Sequence, residues 1–123
     1  MKYWGTPPEL YASLNERFGP FDCDPCPNPR PAGYDGLIAP WGDCNYVNPP
    51  FSNPGDFVRR ALAERELGHE SLLVLPITHW TNVLLTAGAS LQPLGRVRFR
   101  ELETGAPPPG SHRPGLVGAF YLG

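Results

Sequence analysis

From Ser71 to Thr78 the chain reads Ser-Leu-Leu-Val-Leu-Pro-Ile-Thr, and its four central residues, Leu72 to Leu75, are all apolar. A strand with no polar side must be covered on both faces, which is the usual condition of a strand inside a parallel sheet flanked by helices. The run is far too short to cross a bilayer, which takes about 20 apolar residues. The cover must come from the rest of a 123-residue chain, a length that holds one compact domain with a modest core. We therefore expect a single domain over residues 1–123.

The candidates for that cover are legible on either side. In Thr-Pro-Pro-Glu-Leu-Tyr, residues 6–11, Thr6 is placed to cap a helix, with Pro7 at the first helical position and Glu9 completing a Thr-x-x-Glu capping box. Leu10, Leu14 and Phe18 then recur at helical spacing, and Gly19-Pro20 ends the run. Phe21–Asp24 reads as a short strand, followed by a Pro-rich loop. Cys-Asn-Tyr-Val-Asn-Pro-Pro-Phe, residues 44–51, gives a second strand that ends at Asn48. Asn53, Pro54 and Asp56 predict a second helix to about Leu67, burying Phe57, Ala61 and Leu62, with Gly68 as its stop. After the apolar strand, a shorter helix is expected from Trp80 to Ala87. Arg96–Leu102 alternates charge with apolar residues as a half-solvated strand does. Residues 104–114 form a Pro/Gly loop, and Gly115–Gly123 reads as the last strand, closing a terminal hairpin.

Composition limits the function classes. Gly 14 and Pro 17 make up about a quarter of the chain, yet 41% hydrophobic and 11% aromatic residues argue for a folded domain with proline-stiffened loops. A formal net charge of −2 gives no global attraction to nucleic acid, so any such binding must use a local basic patch. The N-terminal stretch lacks the apolar core of a secretory signal. Three cysteines, an odd number, fit a reducing cytoplasm better than a disulfide scaffold.

The residues that ask for chemistry are Asn48-Pro49-Pro50-Phe51. A carboxamide oxygen and a neighbouring backbone carbonyl can together accept both hydrogens of an exocyclic amine. Two prolines fix the backbone and contribute carbonyls without N–H groups. The ring of Phe51 can stack on a base turned out of its helix. The architectural reading is a strand ending in a Pro-rich turn, with Asn48 bonding its own backbone. Spacing alone leaves both open.

This tetrapeptide resembles the catalytic motif of amino-methyltransferases, written Asp/Asn/Ser-Pro-Pro-Tyr/Phe, and it stands at the expected strand end. Thr-Pro-Pro-Glu-Leu-Tyr is similar to the N-terminal cofactor-contacting motif of gamma-type adenine methyltransferases. Phe21 to Pro29 resembles the acidic-Pro end of their first strand. With Gly95 to Phe99 near the C-terminus, the layout from Trp4 to Leu122 resembles the compact phage-type DNA N6-adenine methyltransferases. The resemblance implies that Asn48, Pro49, Pro50 and Phe51 hold and stack the target base. It implies that Trp4, Thr6, Pro7, Asp22, Asp24 and Pro25 line a site for S-adenosylmethionine. Only one of Asp22 and Asp24 is expected to point at that site. The chain departs from the larger methyltransferases in having Cys26-Pro-Asn-Pro-Arg-Pro-Ala-Gly33 where a glycine-rich loop belongs. It also has no second strand ending in an acid for the ribose, a role left to Asp35 or Asp43 from a loop.

Cys23, Cys26 and Cys44 form one C-x2-C pair plus one further thiol, with His69, His79 or His112 as a fourth possible ligand. Structural zinc usually takes two close pairs and the second is missing, so no metal is expected. Arg96, Arg98 and Arg100 share one strand face and are the candidates for DNA phosphate contact. Arg59, Arg60 and Arg65 read as a solvated helix face. Trp80 either lines a pocket or packs the helix it begins.

The expectation is an α/β fold: a small Rossmann-like methyltransferase sheet, mostly parallel with a C-terminal antiparallel hairpin and helices on both faces. The function it implies is transfer of a methyl group from S-adenosylmethionine to adenine N6 in DNA, by a cytoplasmic, phage- or prophage-encoded monomer or homodimer with no membrane association. The competing reading is a non-catalytic nucleic-acid-binding module, either a methyltransferase-like remnant or a zinc-stabilised one.

Overall fold

The computed structural model describes residues 6–27, 30–50, 53–77, 80–96 and 116–123, Arg96 by its backbone. In chain order the elements are α1 (Pro8–Phe18), β1 (Cys44–Val47), α2 (Pro54–Glu66), β2 (Glu70–Pro76), α3 (Trp80–Thr86), β3 (Ser90–Arg96) and β4 (Leu116–Leu122). The strands form one sheet in the order β1-β2-β4-β3, which puts the apolar run of β2 in the interior.

That sheet is mixed, and the expectation of a mostly parallel one is corrected. β1 and β2 pair in parallel, with Cys44 opposite Glu70 and Val47 opposite Leu73. β2 and β4 pair antiparallel from Ser71–Leu122 to Pro76–Val117, and β3 is antiparallel to β4. Apolarity on both faces reports burial and carries no information on strand direction. β4 is as apolar as β2 and occupies the slot beside it running the other way. It follows from these pairings that β1, β2 and β3 share a direction and β4 alone opposes them. The expected strand at Phe21–Asp24 is reduced to a parallel bridge between Cys23 and Asn45. Two backbone bonds hold it to β1, Asp22 N–H to the Cys44 carbonyl and Tyr46 N–H to the Cys23 carbonyl, both 2.9 Å.

Alternate residues of β2 feed two cores, one per face. Leu73 and Leu75 pack with Val47, Phe120 and Leu122 against Phe57, Val58 and Ala61 of α2 and Leu84 of α3. Leu72 and Val74 pack with Tyr46, Val117 and Ala119 against Leu14 of α1, flanked by Leu10 and Phe18. Helices therefore cover both faces, α2 and α3 on one and α1 on the other. Among the described residues no helix is long and apolar enough to cross a membrane.

Two local expectations need correction. α1 starts at Pro8 with Pro7 as its cap residue and no side-chain capping bond, so the Thr6–Glu9 box does not form. β3 begins at Ser90, earlier than the charge alternation suggested, and runs through Pro93 with a bulge between Pro93 and Gly95. A proline is tolerated there because β3 is an edge strand, and Gly95 at φ +71° supplies the left-handed residue that such a bulge takes. Residues 97–115, including Arg98, Arg100 and the expected Pro/Gly loop, lie outside the described residues, as do Trp4, Phe51, His79 and His112.

Candidate active site

Asn48 follows the last residue of β1, and Asp24 follows the bridging Cys23 of the neighbouring parallel segment. Both side chains thus leave the carboxyl ends of adjacent, same-direction strands, the edge where open α/β sheets build their sites. Thr6, at the entrance to α1, meets Asn48 from a third element. The Asn48 Nδ2 donates to Thr6 Oγ1 at 3.2 Å, and Thr6 Oγ1 is 2.5 Å from the Tyr46 hydroxyl. The hydroxyl expected to cap α1 is therefore engaged across 40 and 42 residues of sequence. Pro49 and Pro50 are buried and Asn48 is half-buried, so the amide stands on a rigid base.

Tyr46 is the residue that the motif reading overlooked. It is only 3% exposed, wedged edge-on to the Tyr11 ring at 4.8 Å and tilted on Phe21 at 5.2 Å. Burial pushes its phenol above the ordinary value, so it stays protonated. A signal was available: residues two apart on a strand share a face, and Tyr46 stands two before Asn48.

The two acids at this edge part company because each is drawn to a different set of backbone N–H groups. Asp22 faces the start of β1, where its Oδ1 accepts the Cys44 N–H at 2.9 Å and its Oδ2 the Asp43 N–H at 3.3 Å. The Cys44 bond chiefly holds its carboxyl below the usual value. Asp24 lies at the other end. Its Oδ1 accepts the Cys26 N–H at 3.0 Å, and the surrounding protein pushes its carboxyl up to about 6. Much of its side chain still meets solvent. Among the described residues no cationic side chain forms an ion pair with Asp24.

Pro25 is fully buried, and a Cβ on Gly36 would fall 1.8 Å from its carbonyl oxygen, so the loop that replaces a glycine-rich turn folds directly onto the Asp24 strand end. The same loop is fastened from α2. Arg60 donates to the carbonyls of Leu37 at 2.8 Å and Ala39 at 3.1 Å, pairs with Glu64 at 2.8 Å, and lies over the Trp41 ring at 5.1 Å. Arg65 donates to the Ala87 carbonyl. Arg60 and Arg65 thus tie loops down and are not a solvated face. Arg59 is exposed beside Asp56, as expected.

Neither substitute ribose acid is brought to Asn48. Asp43 precedes β1, at the end opposite Asn48, and lies 3.9 Å from His69 Nε2. Asp35 spends Oδ1 on the Leu37 N–H at 2.9 Å. Trp80 packs the helix start: a Cβ on Gly55 would lie 2.6 Å from its ring, and Arg59 sits 5.5 Å above it. Cys23, Cys26 and Cys44 are free thiols, and among the described residues no group of three or more His, Cys, Asp or Glu is gathered for a metal. Burial raises the Cys26 thiol, with the Asn48 backbone N–H acting in the opposite sense. Of the arginine trio, Arg96 pairs with Leu116 at the end of β3.

No protein-family model matches the chain, and no solved structure matches it. The chain is similar to the DNA N-6-adenine-methyltransferase of Escherichia phage T1, with 28% identity over 88 residues, covering 63% of this chain. It spans 37% of the length of that phage protein.

Proposed function

We propose that this protein transfers a methyl group from S-adenosylmethionine to the N6 amine of adenine in DNA. The observation that carries the reading is the pair of strand ends, with the Asn48 carboxamide on one and, on the next parallel segment, the Asp24 carboxylate, which has no ion-pair partner among the described residues. The named phage relative supports it. Asp24 fits the cofactor on its own chemistry, because a carboxylate raised by its surroundings and lacking a cation partner among the described residues is compensated by the ammonium of a bound amino acid.

S-adenosylmethionine, when bound, supplies the electrophilic methyl group. Asn48 Oδ1 and the Pro49 carbonyl accept the two hydrogens of the target amine, drawing its lone pair out of the ring and toward the incoming carbon. Pro50 holds the turn. Phe51 stacks on the face of the extruded base. The neutral amine attacks without a general base, and the surplus proton leaves afterwards to water. Trp4 and Pro7 complete the cofactor wall, with Pro25 buried behind it and Asp22 turned away from it. Arg96, Arg98 and Arg100 track phosphate. A protein acting in this way works in the cytoplasm of a bacterial host.

Asp24 makes cofactor binding depend on pH with a definite sign. Its folded value is raised from 3.8 to about 6, so its protonated form adds stability that is lost as pH rises through about 6. Above that the ionised carboxylate is a standing cost which a bound cation offsets. Calorimetry should therefore find S-adenosylmethionine binding tightest near neutrality and weakening below about pH 6, by at most about tenfold per pH unit. Asp24→Asn should bind weakly and without that dependence. Binding that is unchanged from pH 7 to pH 5 would remove Asp24 from the cofactor site. No binding at all would favour the non-catalytic nucleic-acid module.

A further inference from the structure

The carboxylate of Asp24 is held by the chain that follows it. Its Oδ1 accepts the Cys26 N–H at 3.0 Å. That N–H belongs to the peptide joining Pro25 to Cys26, which is trans and planar, so the carbonyl oxygen points the opposite way. The pyrrolidine ring fixes φ at Pro25, and the residue is fully buried. What remains free is a movement of the whole peptide away from Asp24.

Gly36 closes that path. A Cβ there would lie 1.8 Å from the Pro25 oxygen and 2.8 Å from its carbonyl carbon, so backbone meets backbone with no room for a side chain. Gly36 is itself fastened. The indole of Trp41, 7% exposed, donates its Nε1–H to the Gly36 carbonyl at 2.7 Å, and Arg60 of α2 lies over that ring at 5.1 Å. Asp35 closes a turn around Gly36, its Oδ1 accepting the Leu37 N–H at 2.9 Å and its carbonyl the Ala39 N–H at 2.8 Å. Every donor in this chain is a nitrogen and every acceptor an oxygen, so each bond has one possible direction. The chain runs from α2 through the loop and ends on one carboxylate.

We propose that Gly36 and Trp41 are positioning residues that hold the Asp24 carboxylate in place through the Pro25–Cys26 peptide. The hold on Asp24 follows from the geometry alone, and its consequence for S-adenosylmethionine rests on the function proposed above. That consequence falls on affinity, because a carboxylate already set before the cofactor arrives needs no ordering on binding.

Two variants separate this role from plain packing. Gly36→Ala forces the loop and the Pro25 peptide apart, whereas Trp41→Phe keeps a ring and removes the N–H. The first measurement needs no cofactor. With labelled nitrogen in cysteine alone, the Cys26 amide signal is identified by its absence in Cys26→Ser. In the wild type it should move as pH passes through about 6, where Asp24 takes up its proton, and Asp24→Asn should abolish the movement. Gly36→Ala should lose it and Trp41→Phe should reduce it. The second measurement is methyl transfer to adenine-containing DNA. KM for S-adenosylmethionine should rise about tenfold in Gly36→Ala, the scale of one hydrogen bond to a charged group, and less in Trp41→Phe, with kcat little changed. Should the alanine variant not fold, Trp41→Phe decides alone. A Cys26 movement unchanged in the folded variants overturns the proposal, as does a fall in kcat at constant KM, which would make the loop a matter of packing. A wild type in which Cys26 follows Asp24 and no S-adenosylmethionine binds would refute the cofactor reading and leave the positioning chain standing.

Discussion

Arg60→Ala is expected to destabilise the fold by about 3 kcal/mol, the lower end for removing one partner of a buried ion pair. Arg59→Ala, one residue away, should stay within about 0.5 kcal/mol. Arg60 serves Glu64, two loop carbonyls and the Trp41 ring at once. Without it, Glu64, only 7% exposed, keeps the His69 Nδ1 contact at 2.6 Å and loses its guanidinium. Burial alone would raise the Glu64 carboxyl, and the His69 and Arg60 bonds outweigh it, so removing Arg60 lets the carboxyl rise. Total stabilities of domains this size are about 5–15 kcal/mol, so the loss should be plain in urea unfolding at unchanged slope. The loop from Leu37 to Ala39, released from α2, should also gain protease sensitivity. Equal small effects from Arg59 and Arg60 would return both to the solvated face.

The contrast between these two arginines shows where sequence pattern stops. Their spacing along α2 predicts a polar face, and for Arg59 that is what the structure holds. Arg60 differs because its partners, the carbonyls of Leu37 and Ala39, are more than 20 residues away, and no local pattern carries them. Thr6 is the same case in reverse. Its capping box was locally complete, yet Tyr46 and Asn48 hold its hydroxyl. Where the signal is burial, the reading was good. The Leu72–Leu75 run is an interior strand with a core on each face, the 10-14-18 stripe puts α1 on the sheet, and α2 begins at Pro54 and ends just before Gly68. Direction was not in that signal, and the reversed β4 made the sheet mixed. Pro93 and Gly95 hid β3 because an edge strand with a bulge tolerates residues that argue against a strand elsewhere.

At the site, Asn48 and Asp24 were legible at strand ends by resemblance. Their surroundings were not, because Tyr46, Thr6 and the folded-back loop at Gly36 act through contacts that exist only after folding. The glycine-rich turn expected of larger methyltransferases is replaced by a Pro-rich segment tied to α2 by Arg60.

Asn48 carries the largest expected effect on rate. Removing the acceptor that draws the amine's hydrogens should slow the chemical step by about 10²–10³, the loss seen when one preorganised polar group is deleted from a reacting centre. S-adenosylmethionine should still bind, because in the proposed site the cofactor is held by Asp24 and not by the Asn48 oxygen. Phe51→Ala should act on the base instead, costing about 1–3 kcal/mol of stacking, and Phe51→Tyr should be close to neutral. Affinity for the cofactor and rate of transfer thus divide between the two strand ends.

The most direct measurement is transfer of a labelled methyl group from S-adenosylmethionine to adenine-containing DNA by the wild type and by Asn48→Ala, each verified as folded. Label in N6-methyladenine with the wild type, and a loss of about 10²–10³ in the variant at unchanged cofactor affinity, is the result this account predicts. Wild-type activity retained by a folded Asn48→Ala protein would make the tetrapeptide a turn and contradict it.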